Sequence, residues 1–139
     1  MTVLTSSSFR RFLLRARIFV YLFAAAAVVY LAWRFDTVTL PEEGCSPVRS
    51  LQPGARLFVD LHPGVIVDGD RLLFSDENGE LLLGVVAPLP ESAPPEFAER
   101  AAAGELWIVA DDPTCPARDS RALGPIPLDR VAGRVFLAL

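Results

Sequence analysis

Residues able to do chemistry are sparse in this chain: one His, His62, two Cys, Cys45 and Cys115, no Lys, and a scatter of acids and hydroxyls. Ser46 stands beside Cys45 in a Gly44-Cys45-Ser46-Pro47 turn-like stretch. Either could attack a carbonyl, but a neutral hydroxyl or thiol needs a base next to it. An imidazole is the side chain best suited to take a proton at neutral pH, yet His62 sits in His62-Pro63-Gly64, a turn. All 13 basic residues are Arg, and a guanidinium stays protonated at any working pH, so it accepts no proton. Asp68, Asp70, Asp111 and Asp112 are calcium ligands by type, although acids beside Gly or Pro more often form turns. The bland reading of Asp119 and Arg121 is an ion pair among turn residues. A single His and two Cys exclude zinc-finger arrangements, and no metal or cofactor is expected.

The elements that must position these groups divide the chain in two. Arg10, Arg11, Arg15 and Arg17 precede Ile18–Trp33, which carries no charge. With Phe12–Leu14 before it and Phe35 after it, the run approaches the ~20 residues of a spanning helix. Arg34 is followed by Asp36, Glu42 and Glu43, so the Arg bias places the N-terminus in the cytoplasm. A cleaved signal peptide is the competing reading, because Ala24–Ala27 offers small residues behind a basic region. Cleavage there would strand Val28-Val29-Tyr30-Leu31 at a new terminus, whereas a span uses them. The expected organisation is a cytoplasmic basic segment over 1–17, a transmembrane helix over 18–35 and an extracytoplasmic domain over 36–139, in a cell membrane protein that spans once.

The exported part is acidic, within a net charge of −4 over 139 residues, and has no basic stripe for phosphates, which argues against nucleic acid as a partner. Thr37 to Gln52 reads as irregular chain. Ala55–Leu61, Gly64–Val67 and Arg71–Phe74 are short apolar runs separated by Pro53-Gly54, Pro63-Gly64 and Asp68-Gly69-Asp70, which is strand and turn chemistry. Asp76-Glu77-Asn78-Gly79 predicts a hairpin with Glu80–Ala87 as its second arm, Asn78 and Gly79 supplying positive φ. After a Pro-rich loop, Pro95–Ala101 predicts one or two helical turns ended near Gly104. Glu105–Ala110 and Val131–Leu139 are the last strand candidates. The fold class expected is mainly β, a small β domain behind one N-terminal transmembrane helix.

The run from Gly44 to Asp60, G-C-S-P-V-R-S-L-Q-P-G-A-R-L-F-V-D, resembles without a gap the nucleophile box of bacterial signal peptidase I, approximately G-x-S-M-x-P-T-L-x-P-G-D-R-L-L-V-D. Gly69-Asp70-Arg71-Leu72-Leu73-Phe74 is similar to the family's following G-D-x-V-V-F strand. Asp111-Asp112-Pro113, Asp119-Ser120-Arg121-Ala122-Leu123-Gly124-Pro125-Ile126-Pro127 and Gly133-Arg134-Val135 are similar to its G-D-N, S-x-D-S-R-x-x-G-P-V-P and G-R-V blocks. The resemblance covers nearly all of the exported part. It implies a signal-peptidase-like β domain, an amide hydrolysis run by a Ser nucleophile and a neutral Lys base, and Ser46 in the nucleophile position with its own N–H in the oxyanion hole.

The same resemblance exposes what is missing. The family's V-K-R-V-V-A-like strand matches Leu82-Leu83-Gly84-Val85-Val86-Ala87, which puts Leu83 where the Lys should be. The Ser that hydrogen-bonds that Lys in the family is Ala117 here. Met and Pro of the nucleophile box are Pro47 and Arg49. Some relatives use His at the Lys position, and His62 is not at that position. Ser46 is therefore expected against an apolar wall containing Leu83, with no base within reach. Cys45 adjoins the nucleophile position and Cys115 lies in the loop that passes beside the base in the family; two Cys in an exported domain are expected to form one disulfide. Two free thiols with Cys45 as nucleophile is the alternative. The expected role is non-catalytic binding of an extended peptide, an exported protein or a membrane partner along the old substrate edge. An active serine endopeptidase and an anchored structural domain are the other two readings.

Overall fold

The structure, a computed structural model, describes residues 6–139, and of the first helical turns only the side chains of Phe9 and of residues from 12 onward. Residues 1–5 and the Arg10 and Arg11 side chains, part of the segment expected in the cytoplasm, lie outside the described residues. The chain forms two units, 1–34 and 35–139.

The first unit is one helix, α1, Ser6–Arg34. No Gly or Pro interrupts it, and from Ile18 to Trp33 it carries no charge on any side, with none of the Phe12–Arg34 stretch buried against protein. A helix apolar all round has to be covered by something other than water. Its 23 residues reach about 34 Å at ~1.5 Å per residue, against a hydrocarbon core of ~30 Å. The helix is long and apolar enough to cross a membrane. It ends at Arg34, one residue earlier than expected.

The second unit is a six-stranded antiparallel sheet in the order β1-β2-β6-β3-β4-β5. β1 is Phe35–Thr39, β2 Arg56–Asp60, β3 Arg71–Ser75, β4 Leu81–Val86, β5 Ile108–Val109 and β6 Val131–Ala138. A small sheet domain behind one apolar helix is the architecture expected. Two elements differ from expectation. Phe35–Thr39 is a strand rather than a helix end and irregular chain: it runs in register with β2 from Phe35↔Asp60 to Thr39↔Arg56, and Phe35 packs on Phe136 with ring centroids 5.2 Å apart. Gly64–Val67 is not a strand. Val65 is 82% exposed, and the Val67 N–H is held by the Asp70 carboxylate at 3.0 Å, so a local turn replaces ladder pairing.

β3 shows why the sheet needs cover on both sides. Leu72 and Phe74 belong to one buried cluster, with Val86, Ile108 and Ile126, while Leu73, between them, belongs to another with Val48, Leu51, Leu57, Val59, Leu83 and Val135. Strand side chains alternate faces, so these are the two sides of one sheet. Val48 and Leu51 come from the loop after β1, which thereby becomes a lid on the first face. The second face is covered around β3 and β4 by the segment that carries β5, helix α2 (Pro95–Ala102) and helix α3 (Ser120–Leu123). At Gly133 an added Cβ would come within 2.5 Å of a Val59 methyl and 2.7 Å of the Asp60 carbonyl, so β6 can sit beside β2 only with Gly there.

The predicted hairpin joins β3 to β4. Asp76 accepts from the Gly79 N–H at 3.1 Å and donates its own N–H to Glu80 at 3.0 Å. Only Gly79 has positive φ, +80°, and Asn78 does not. The Asn78 backbone N–H is instead held by the Asp76 carboxylate at 2.8 Å.

Candidate functional site

Ser46 lies in the loop between β1 and β2, and three ties fix that loop. Cys45 is bonded to Cys115, with Cα atoms 5.4 Å apart. The Pro47 carbonyl accepts the Asp111 N–H at 3.0 Å, and the Arg49 N–H donates to the Asp111 carboxylate at 2.7 Å. The free-thiol alternative is removed, and Cys45 is no nucleophile while so bonded.

The Asp119-Ser120-Arg121 block positions the other end of these ties. Asp119 is buried and accepts from the Ala110 N–H at 2.9 Å and from the Arg121 N–H at 2.9 Å, while the Arg121 guanidinium grips its outer oxygen and the Ala110 carbonyl. The Ser120 hydroxyl accepts the Ile108 N–H at 2.8 Å. Burial alone would raise the Asp119 pKa, but the Arg121 and backbone donors outweigh it and hold the carboxyl below its ordinary value. The same contact raises Arg121, because the hydrogen bond to Asp119 favours its charged form. This block is a structural clasp that fixes where the chain leaves β5.

Ser46, Leu83 and Ala117 come together around one cavity of about 420 Å³. Leu40, Pro41 and Pro53 form one wall, Leu81–Leu83 of β4 another, and the disulfide, Pro116, Ala117 and Arg118 a third, with Glu80 just before β4. The Ser46 hydroxyl donates to the Val48 carbonyl at 2.9 Å and accepts from the Val48 N–H at 3.3 Å. Both partners are backbone atoms two residues on, the pattern of a hydroxyl that stabilises its own turn. Leu83 is buried in the core cluster that holds Val48. His62 does not line the cavity; it is exposed after β2, its backbone N–H bonded to Asp60 at 3.0 Å. A Ser whose proton points at a carbonyl is not activated for attack.

The cavity runs along an incomplete sheet edge. Val86 donates its N–H to Asp70 on the β3 side, and Ala87 donates to Trp107 on the β5 side, so odd positions of β4 face away from β3. β5 pairs only with Val85 and Val86. Leu81 and Leu83 therefore direct their backbone N–H and C=O along an edge that no strand among the described residues covers.

Other acids have local duties. The Asp112 carboxylate accepts from the Thr114 hydroxyl and N–H, which lower its pKa in that order of effect. Asp70 takes the Val67 N–H and the Arg134 guanidinium at 3.4 Å. Sequence reasoning missed Arg118 at the cavity rim: its Nη1 meets Asp76 at 2.6 Å and Glu80 at 3.7 Å. Asp76 lies 42 residues away in the chain, and no local pattern announces such a pair. The Asp76 pKa is lowered, first by the Glu80 N–H, against desolvation, then by Asn78 and by the Arg118 charge.

No protein-family model matches the chain, and no curated protein matches it.

Proposed function

We propose that the chain is a membrane-anchored, signal-peptidase-like protein that has lost peptidase activity and binds an extended segment of an exported protein. α1 spans the membrane with the N-terminus in the cytoplasm, and the sheet domain lies on the extracytoplasmic side. The observation that carries this reading is the cavity shared by Ser46, Leu83 and Ala117: the three positions that the resemblance matches to nucleophile, base and the base's partner line one cavity, and the last two are apolar. The open Leu81–Leu83 edge supports a peptide ligand, since an exposed edge can take an added strand. The disulfide supports an oxidising compartment.

Two measurements test it. A serine-directed acylating probe should leave Ser46 unlabelled in the full-length protein, and photocrosslinkers placed at Leu81 should trap exported preproteins. Ser46-dependent labelling and turnover would instead establish the peptidase. Absence of any crosslinked segment would leave an anchored structural domain.

A further inference from the structure

Leu81 and Leu83 lie two apart on β4, so their side chains point to the same face of the sheet. Leu83 is 6% exposed and sealed into the core, whereas Leu81 is 48% exposed. Facing them are Pro41, Pro53 and Pro116, whose rings fix φ, and the disulfide ties that wall to the Ser46 loop. Such walls cannot close by small backbone shifts. The volume, about 420 Å³, falls within the ~300–1,000 Å³ of sites that hold a ligand group. An Ala methyl would leave most of this surface without contacts, while a Leu or Phe side chain would reach it.

Charge selects further. Arg118 is anchored through Nη1 to the buried carboxylate of Asp76, which orients the guanidinium; its Nε and Nη2 make no hydrogen bond among the described residues. Two donors at the cavity mouth match a carboxylate. Glu80, 65% exposed and 3.7 Å from Nη1, is a loose competitor. Arg118 sits beside Glu80, just before β4 and three positions before Leu83 in the chain, at the rim of the same cavity.

We infer that the cavity takes a bulky apolar side chain of an extended segment added to the Leu81–Leu83 edge, with an acidic side chain two residues away held by Arg118. This rests on the peptide-binding reading above. It differs from selection of small side chains, because the apolar cavity rewards size.

The test uses the full-length protein in neutral-lipid nanodiscs and three dye-labelled, terminally blocked peptides of seven residues. The first has Leu at its centre and Glu two residues to either side; the second has Ala for Leu; the third has Gln for both Glu. Binding read by anisotropy should favour Leu over Ala on the order of 50-fold, from the apolar area buried, and Glu over Gln about 3-fold, as an exposed charge pair gives. Ala117→Phe, which fills the cavity, should abolish the Leu preference, and Leu81→Ser at a half-exposed position should reduce it without a folding penalty. Arg118→Gln should abolish the Glu preference and Arg118→Lys should keep it. Equal affinity for the Leu and Ala peptides overturns the inference and leaves peptide binding standing. Failure of every peptide to bind protein that retains its disulfide and a cooperative unfolding transition overturns the peptide-binding reading itself.

Discussion

Cys45 and Cys115 are 70 positions apart in the chain and joined by a disulfide that forms part of the cavity wall. The bond closes most of the sheet domain into one loop and fixes the Ser46 turn to the Pro116-Ala117 segment. A cross-link over a loop of this length removes conformational freedom from the unfolded chain, worth about 4 kcal/mol in the chain-entropy model. Cys45→Ala with Cys115→Ala should lower the unfolding free energy by that order, read as a fall in urea midpoint with a steeper slope, because the unfolded chain without the cross-link is more expanded. A shift under about 1 kcal/mol would show that the Pro47 and Arg49 hydrogen bonds to Asp111 hold the loop alone.

Asp119 gives the domain an acid sensitivity of defined sign. Its carboxyl titrates below the ordinary value in the folded protein, because the Arg121 and Ala110 donors outweigh burial. The unfolded chain therefore binds its proton first as pH falls. The stabilisation is complete above the ordinary carboxylate range and is lost as pH drops through the lowered folded value. Asp76 and Asp112 act in the same direction. Asp119→Asn should cost about 2 kcal/mol at pH 7, since it removes the charge from a buried acceptor of several hydrogen bonds while Arg121 is itself largely exposed and screened. The variant should also show a shallower loss of stability between about pH 5 and pH 3 than the parent, measured by denaturant unfolding at each pH.

Much of the sheet was legible because local chemistry and global need agree. Asp76–Gly79 closes its hairpin with its own side chains and one Gly, so neighbouring residues suffice to announce it. β1 was not legible: Phe35 reads as the last apolar residue of a span, and only its contacts with Asp60 of β2 and Phe136 of β6 make it a strand. Gly64–Val67 has strand-forming residues, but the Asp70 carboxylate takes the Val67 N–H, and the sequence cannot show which donor a turn acid will choose. The cavity was half legible. Ser46, Leu83 and Ala117 came from a resemblance spread over the sheet domain, whereas Arg118 depends on Asp76 across the fold.

The orientation proposed for α1 rests on the Arg residues before the apolar stretch and the acids after it. A periplasm-active phosphatase fused after Leu139 should be active and a cytoplasm-dependent fluorescent reporter at the same place dark. The opposite pattern would invert the topology and would remove the oxidising compartment that the disulfide needs.

The Ser46 hydroxyl has a structural duty that can be separated from catalysis. Ser46→Ala removes two hydrogen bonds to Val48 and should cost about 1 kcal/mol of stability, and on the proposed non-catalytic reading it should change nothing in a signal-peptide cleavage assay. A drop in cleavage rate that exceeds the loss of folded protein would assign the hydroxyl to chemistry.

Leu83 and Ala117 permit the reverse experiment, in which the base and its partner that the signal peptidase resemblance calls for are introduced. Leu83 is buried against Val48, Leu51, Leu57 and Leu73, so Leu83→Lys exchanges an apolar side chain for an amine that must be desolvated. Burial lowers the pKa of such an amine well below its unfolded value of about 10.4. Between those two values the unfolded chain binds the extra proton, so the penalty should grow as pH falls from about 10, reach about 3 kcal/mol at the lowered folded value and stay at that full size below it. Ala117→Ser lines the same cavity and should return part of the loss by offering the amine a hydroxyl partner. The pair should therefore be more stable than Leu83→Lys alone, a coupling measured by a double-mutant cycle. Any activity gained should require Ser46 and should appear only above the lowered Lys pKa, because the base has to be neutral. If the two substitutions show no coupling, Ala117 does not face the side chain at position 83, and the correspondence of this cavity with a Ser-Lys site is lost.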